Sequence, residues 1–288
     1  MSQSPATLGR NIGHALGRIG RIFRLGRRSH AGQGIGLALG GGFARGIAHI
    51  GVLQVLKEER VPIGSIAGVS AGSIIAAAYA SGTPLGQIEE MARKMRFNDL
   101  ARWTLSRMGL VTSERMTGFL NRLLSADQFE KMKIPLAVVA TDLSCGHPVI
   151  FQGKGDVILP IRASCSYPGL FLPVKSNNQH LVDGGISMDV PSAALRQLGA
   201  PYVVAVVLRA ADCVVDRTNM LGVMNRCIQI LQASTEQEWK KCSDLVLEPE
   251  VGEFAWDAFD KADQLIMAGR LAARAAMDSM QEWTAKGS

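Results

Sequence analysis

The chain has 288 residues, 47% of them hydrophobic and 19% charged, with a formal net charge of +6. That suffices for the large core of a single α/β enzyme domain, and no internal repeat or low-complexity segment interrupts it. No apolar run reaches the eighteen or so residues of a membrane-crossing helix. The N-terminus also lacks the continuous apolar stretch of a secretory signal.

The charge excess lies in residues 1–34, which hold Arg10, Arg18, Arg21, Arg24, Arg27 and Arg28 and no acidic residue. The remainder is formally neutral, with 25 basic and 25 acidic residues. Leu8, Ile12, Ala15, Ile19, Ile22 and Phe23 recur at helical spacing, with Arg10, Arg21, Arg24 and Arg28 opposite. This is the pattern of a basic amphipathic helix lying in a membrane interface. Against it, Gly9, Gly13, Gly17 and Gly20 each cost a helix about 1 kcal/mol, so a disordered leader or a targeting peptide remains open. Membrane contact is the preferred reading. Nucleic-acid binding is not expected from a neutral body without a recognition motif.

Ile35–Leu39 predicts a buried strand running into Gly40-Gly41-Gly42-Phe43-Ala44-Arg45-Gly46, with a helical pattern following through Arg60. Strand, glycine loop and helix together present backbone N–H groups to an anion. The dinucleotide pattern fails because Arg45 stands where its third glycine belongs, and Val61–Ile66 carries no acidic residue. The phosphate-loop pattern fails for want of Gly-Lys-Ser/Thr. An oxyanion hole is the better assignment. Arg45 opposes the helix dipole, so it is assigned either to a buried carboxylate or to an anionic headgroup.

Gly64-Ser65-Ile66-Ala67 then leads into Gly68-Val69-Ser70-Ala71-Gly72, and Ser73–Tyr79 reads as a buried helix. A serine between two glycines at a strand-to-helix junction is a nucleophile elbow; alone, the pattern is also an ordinary turn. Residues 84–130 predict a helical insertion with Met91, Met95, Phe97, Trp103, Leu105, Met108 and Leu110. Such a segment is core first, and second a flexible cap over an acyl pocket.

Leu136–Ala140 and Tyr202–Val207 are the clearest further strands, and Ser243–Glu248 adds an edge strand. Strands alternating with helices predict a three-layer α/β/α architecture with a mostly parallel sheet. Cys145, Cys165, Cys213, Cys227 and Cys242 show no metal-type spacing, which fits reduced thiols in a cytoplasmic location and no zinc.

Five histidines could serve Ser70, but none has a base's surroundings. His14 and His30 lie in the tail, His49 reads as helix packing, and His147 and His180 lie in or near turns. Asp183-Gly184-Gly185 is better placed. It closes a short run from Gln179, and its glycines permit close backbone approach. An aspartate held against the hydroxyl can itself take the serine proton.

The glycine loop, the elbow and the Asp-Gly-Gly turn, in this order, resemble the patatin-like phospholipases, bacterial members related to neuropathy target esterase included. Ile134–Leu143, Arg162–Phe171 and Phe259–Gly269 extend the likeness from about Ile35 to Met280. The resemblance implies Ser70 as nucleophile and Asp183 as proton acceptor, with no histidine. It further implies the amides of Gly41, Gly42 and Phe43 as oxyanion donors beside Arg45, with Gly46, Gly68, Gly72, Gly184 and Gly185 in support. Phe43 departs from the pattern, since glycine is common there; its ring either narrows the acyl site or lines it.

The expected function is hydrolysis of carboxylic esters of lipids, of phospholipase A or lysophospholipase type, by a domain spanning residues 35–288 without metal or organic cofactor. The expected partners are the lipid ester and, through the basic tail, a membrane surface. The alternatives are acyl transfer by the same dyad, or a membrane-associated regulatory or scaffold protein with incidental catalysis.

Overall fold

The computed structural model describes residues 34–211 and 220–285; the tail assigned to membrane contact lies outside them. The strands are β1 (Ile35–Leu39), β2 (Ile63–Val69), β3 (Arg102–Ser106), β4 (Gly109–Thr112), β5 (Leu136–Asp142), β6 (Pro148–Gln152), β7 (Val174–Ser176), β8 (Gln179–Asp183), β9 (Val203–Val206) and β10 (Leu245–Leu247). The helices of the first half are α1 (Ala48–Glu58), α2 (Ala71–Ala80), α3 (Leu85–Lys94), α4 (Phe97–Leu100) and α5 (Glu114–Leu123). Those of the second half are α6 (Ile158–Ser164), α7 (Ser192–Gln197), α8 (Met220–Ser234), α9 (Glu236–Lys241), α10 (Ala262–Ala275) and α11 (Met277–Ala285).

The central sheet runs β10-β9-β1-β2-β5-β8-β7, with β6 also paired to β5. It is parallel from β10 through β5 and antiparallel among β5, β6, β7 and β8. Side chains alternate across it with the period of two that a strand imposes. Leu37, Leu39, Ile66, Val138 and Val206 join one core with the apolar faces of α1, α2 and α10. Ala38, Ala67, Ala137 and Ala205 join the other, against Ala194 and Leu195 of α7. Both faces are therefore covered, as buried parallel strands require.

The closing helix α10 lies on α1 at backbone distance. A Cβ on Gly51 would strike the carbonyl oxygen of Ile266, and one on Gly269 that of Ala48. The apolar spacing of the two helices shows that they are buried, but only this glycine pair explains how close they lie.

The insertion differs from the helical segment expected. It holds α3, α4 and α5 but also an antiparallel hairpin, β3 with β4. Trp103 and Leu105 alternate with polar neighbours, which is strand spacing, and Gly109 opens β4. Short apolar runs of this kind fit either period. Trp103 and Met108 are exposed, whereas Met116, Phe119 and Leu120 of α5 belong to the main core.

The register also positions the site. Val69 at the end of β2 pairs with Val139 of β5, and Asp183 at the end of β8 pairs with Ala140. Two strands of opposite direction thus finish at one level of β5, bringing Ser70 and Asp183 together.

Candidate active site

Ser70 stands between β2 and α2 with φ 52° and ψ −128°. That region is normally left to glycine, and a side chain held there stores on the order of 1–3 kcal/mol. Tight packing enforces the turn, since a Cβ on Gly72 would strike the carbonyl oxygens of Leu39 and Gly40, and one on Gly68 would strike Gly72 and Ser73. The Ser70 carbonyl accepts from Ser73 N–H at 2.9 Å and from Ser73 Oγ at 2.6 Å. Its N–H donates to Ser164 Oγ at 2.8 Å, and that hydroxyl donates to Val139 O at 2.6 Å. A buried serine from α6 therefore ties the elbow to the sheet.

Ser164 lay unassigned within Arg162–Phe171, and no sequence signal marks it. Ser164→Ala would leave the Ser70 N–H and the Val139 carbonyl without their partner, at about 1–3 kcal/mol for each buried group. Urea unfolding should show that loss, accompanied by a fall in turnover as the elbow relaxes. Wild-type stability in Ser164→Ala would remove the hydroxyl from this role.

Asp183 is 3% exposed. Its Oδ1 accepts from Gly185 N–H at 2.8 Å, capping the short turn Gly184–Ile186. Its Oδ2 is buried with no partner of full hydrogen-bond geometry. Burial raises the pKa to about 6, against the opposing pull of the Gly185 amide and the Ser70 hydroxyl. A carboxyl in that state can take a proton from an adjacent hydroxyl.

The glycine loop faces the same place. A Cβ on Gly41 would sit 3.4 Å from Ser70 Cβ, and Gly46 abuts Ala71. Ala44 N–H bonds to Trp256 O and Arg45 N–H to Gly42 O, whereas the N–H groups of Gly41, Gly42 and Phe43 find no acceptor among the described residues. Phe43 itself has φ 51°. The Ser70 amide is already engaged by Ser164, whereas the loop amides stay free.

Ser70, Asp183, Gly41, Gly42, Phe43 and Arg45 share one cleft of about 350 Å³. Arg45 is 8% exposed, with Nε 3.4 Å from Gly42 O. Burial lowers its pKa, partly offset by Tyr167 and Asp189. Among the described residues no carboxylate comes within ion-pair distance of Arg45, though the charge of the buried Asp189 in the same cleft acts on it.

Three cleft residues carry no sequence signal. Tyr167 donates to Asn225 Oδ1 at 2.8 Å. Asp189 has its pKa raised to about 7, first by burial and then by the charge of Asp183. Arg209 forks onto Glu236 at 2.7 and 2.9 Å at the rim.

Among the described residues, no histidine lines this cleft. His49 is fully buried and its pKa falls to about 4 because of that burial, so the ring is neutral. Its Nε2 donates to Gly40 O at 2.9 Å, tethering the end of β1. His147 and His180 are exposed.

Fold and site define a class: a three-layer α/β protein whose strained serine meets a buried aspartate beneath a glycine loop. Residues 37–196 match the model of the patatin-like phospholipase family, and the chain belongs to that family. An uncharacterized NTE family protein of Mycobacterium tuberculosis is 33% identical over 188 residues, covering 64% of this chain and 52% of that protein. The chain thus spans about half the length of that relative. A lysophospholipase of Aspergillus fumigatus is 31% identical over 199 residues, covering 67% of this chain and 13% of the fungal protein. The crystal structure of VipD from Legionella pneumophila shares the fold, with a TM-score of 0.50 and 15% identity over 86% of this chain and 67% of VipD. Among the described residues no helix is long and apolar enough to cross a membrane.

Proposed function

We propose that the chain hydrolyses carboxylic esters of lipids, as a phospholipase A or lysophospholipase, through a Ser70–Asp183 dyad. The observation that carries this reading is the Asp183 carboxyl: buried, with one oxygen fixed by Gly185, the other without a partner of full hydrogen-bond geometry, and the Ser70 hydroxyl close enough to pull its pKa down. Ser70 Oγ attacks the acyl carbonyl carbon and its proton passes to Asp183. Charge developing on the carbonyl oxygen is met by the amides of Gly41, Gly42 and Phe43. Collapse breaks the ester bond, and the leaving alcohol takes the proton from Asp183. Water then gives a proton to Asp183 and attacks the acyl-enzyme, releasing the fatty acid and restoring Ser70. The name of the fungal relative favours lysophospholipid among the substrates, and Arg45 supplies a cation for its phosphate.

Labelling by a fluorophosphonate probe, read by intact mass, tests the nucleophile. A panel of ester lipids with Ser70→Ala as control tests the substrate class. A protein that takes up no probe and cleaves no ester would overturn the reading.

The pH profile follows from Asp183. The carboxyl accepts a proton only when ionised, and its pKa is raised to about 6. Activity should therefore be full above neutrality and fall as pH drops through about 6. Asp189, raised to about 7 beside it, broadens that limb, because interacting carboxyls titrate as a pair. Steady-state rates between pH 4 and 9 check this; a limb near pH 4 would mean an unperturbed base.

The arginine-rich tail is proposed to hold the protein on anionic membranes. Each arginine near such a surface contributes about 1 kcal/mol. Deleting residues 1–33 should leave hydrolysis of a soluble short-chain ester intact and abolish salt-sensitive sedimentation with phosphatidylglycerol vesicles. Equal sedimentation of both proteins would locate membrane contact elsewhere.

A further inference from the structure

Two hollows meet at one residue. The cleft holding Ser70 is lined on one side by Phe43, and Phe43 also lines a second hollow that opens between α2, α3 and α5. Its walls are Ala71, Ile74 and Ile75 of α2, Ile88 and Met91 of α3, and Phe119 of α5, among others, and none of its lining residues is charged. Ala71 directly follows Ser70, so the seam begins one residue from the nucleophile. As packed it holds only about 30 Å³, but Met91 and Met95 are half-buried there, and methionine chains repack readily.

Phe43 is held under strain between the two hollows. Its φ of 51° is costly for an aromatic residue. Its ring makes edge contacts with Tyr167 at 5.0 Å and Trp256 at 5.3 Å. Trp256 is 40% exposed and leans in turn on Phe97 at 5.8 Å. The ring therefore closes the seam from an aromatic group that packs on the small buried cluster of Ala101, Val111, Leu170 and Phe171 and reaches the surface at Trp256.

We infer that the seam between α2, α3 and α5 is the subsite for the acyl chain of the ester, and that Phe43 gates it and limits chain length. This rests on the hydrolase reading for its substrate, and the chemistry agrees. A long alkyl chain leaving the acyl carbonyl at Ser70 Oγ needs an uncharged channel, and the cleft itself presents Arg45, Asp189, Arg209 and Glu236. In such a channel each methylene admitted or refused changes kcat/KM by roughly tenfold or more.

The test has two arms on the full chain. Binding of cis-parinaric acid, a fluorescent long-chain fatty acid, is titrated in the Ser70→Ala background, and kcat/KM is measured for p-nitrophenyl acetate and dodecanoate with Ser70 intact. Met91→Phe puts a rigid ring into the seam. It should weaken fatty-acid binding and lower the dodecanoate-to-acetate ratio by roughly tenfold, with acetate hydrolysis unchanged. Phe43→Ala should move both readouts the opposite way. Met95→Phe repeats the filling test should Met91→Phe fold poorly. Unchanged binding and an unchanged ratio in folded variants would overturn the subsite. Seam-dependent binding by a protein that cleaves no ester and takes up no fluorophosphonate would uphold the subsite and overturn the hydrolase reading instead.

Discussion

Ser70→Ala and Asp183→Asn should each lower ester hydrolysis by at least about 10⁴-fold, since members of a catalytic unit fail together, and the aspartate variant should also be more stable than the wild type. The stability gain follows from the raised pKa. Asp183 is buried with a folded-state pKa of about 6 against an ordinary 3.8. The folded state therefore carries a cost of about 3 kcal/mol above pH 6, which fades as the pH falls toward 3.8. Asparagine keeps an oxygen for the Gly185 N–H and removes the charge. Its melting midpoint should exceed that of the wild type at pH 8 and approach it at pH 4. Gln in place of His49, His147 or His180 should cost far less activity. A folded histidine variant as inactive as Ser70→Ala would replace the dyad by a triad.

Gly42→Val should lower kcat by about 10²–10³-fold, the usual effect of losing an oxyanion donor, with KM little changed. At Gly42 φ is 157°, and an added Cβ would come within 3.0 Å of Leu208 Cδ1. Valine at this position is strained at that φ and presses on Leu208, and backbone rotation that relieves both tilts the amides of residues 42 and 43. The effect belongs to turnover because charge on the oxygen develops only in the transition state. Stopped-flow acylation with a p-nitrophenyl ester isolates that step. Wild-type acylation by a folded Gly42→Val protein would remove the loop from the mechanism.

The sequence by itself determined the features whose causes are local. Steric limits on the backbone favour glycine at tight turns, so Gly68-Val69-Ser70-Ala71-Gly72 between an apolar run and a helical pattern marks a strand-to-helix turn. The alternation through Leu37, Ala38 and Leu39, and through Leu136, Ala137 and Val138, encodes strands covered on both faces. The same logic was weak in residues 84–130, where short apolar runs serve helix and strand equally, and the β3–β4 hairpin passed unseen. Only the tertiary structure decided what depends on distant segments meeting. The pairing of Val69 with Val139 and of Asp183 with Ala140 brings the serine and the carboxyl to one level of β5. Burial then raises the Asp183 pKa, a property of its surroundings that no neighbour in sequence supplies. Ser164 beneath the elbow and Asp189 in the cleft belong to the same class. Their residue types are ordinary and their spacing unremarked, and only packing turns one into a tether and the other into a titrating partner.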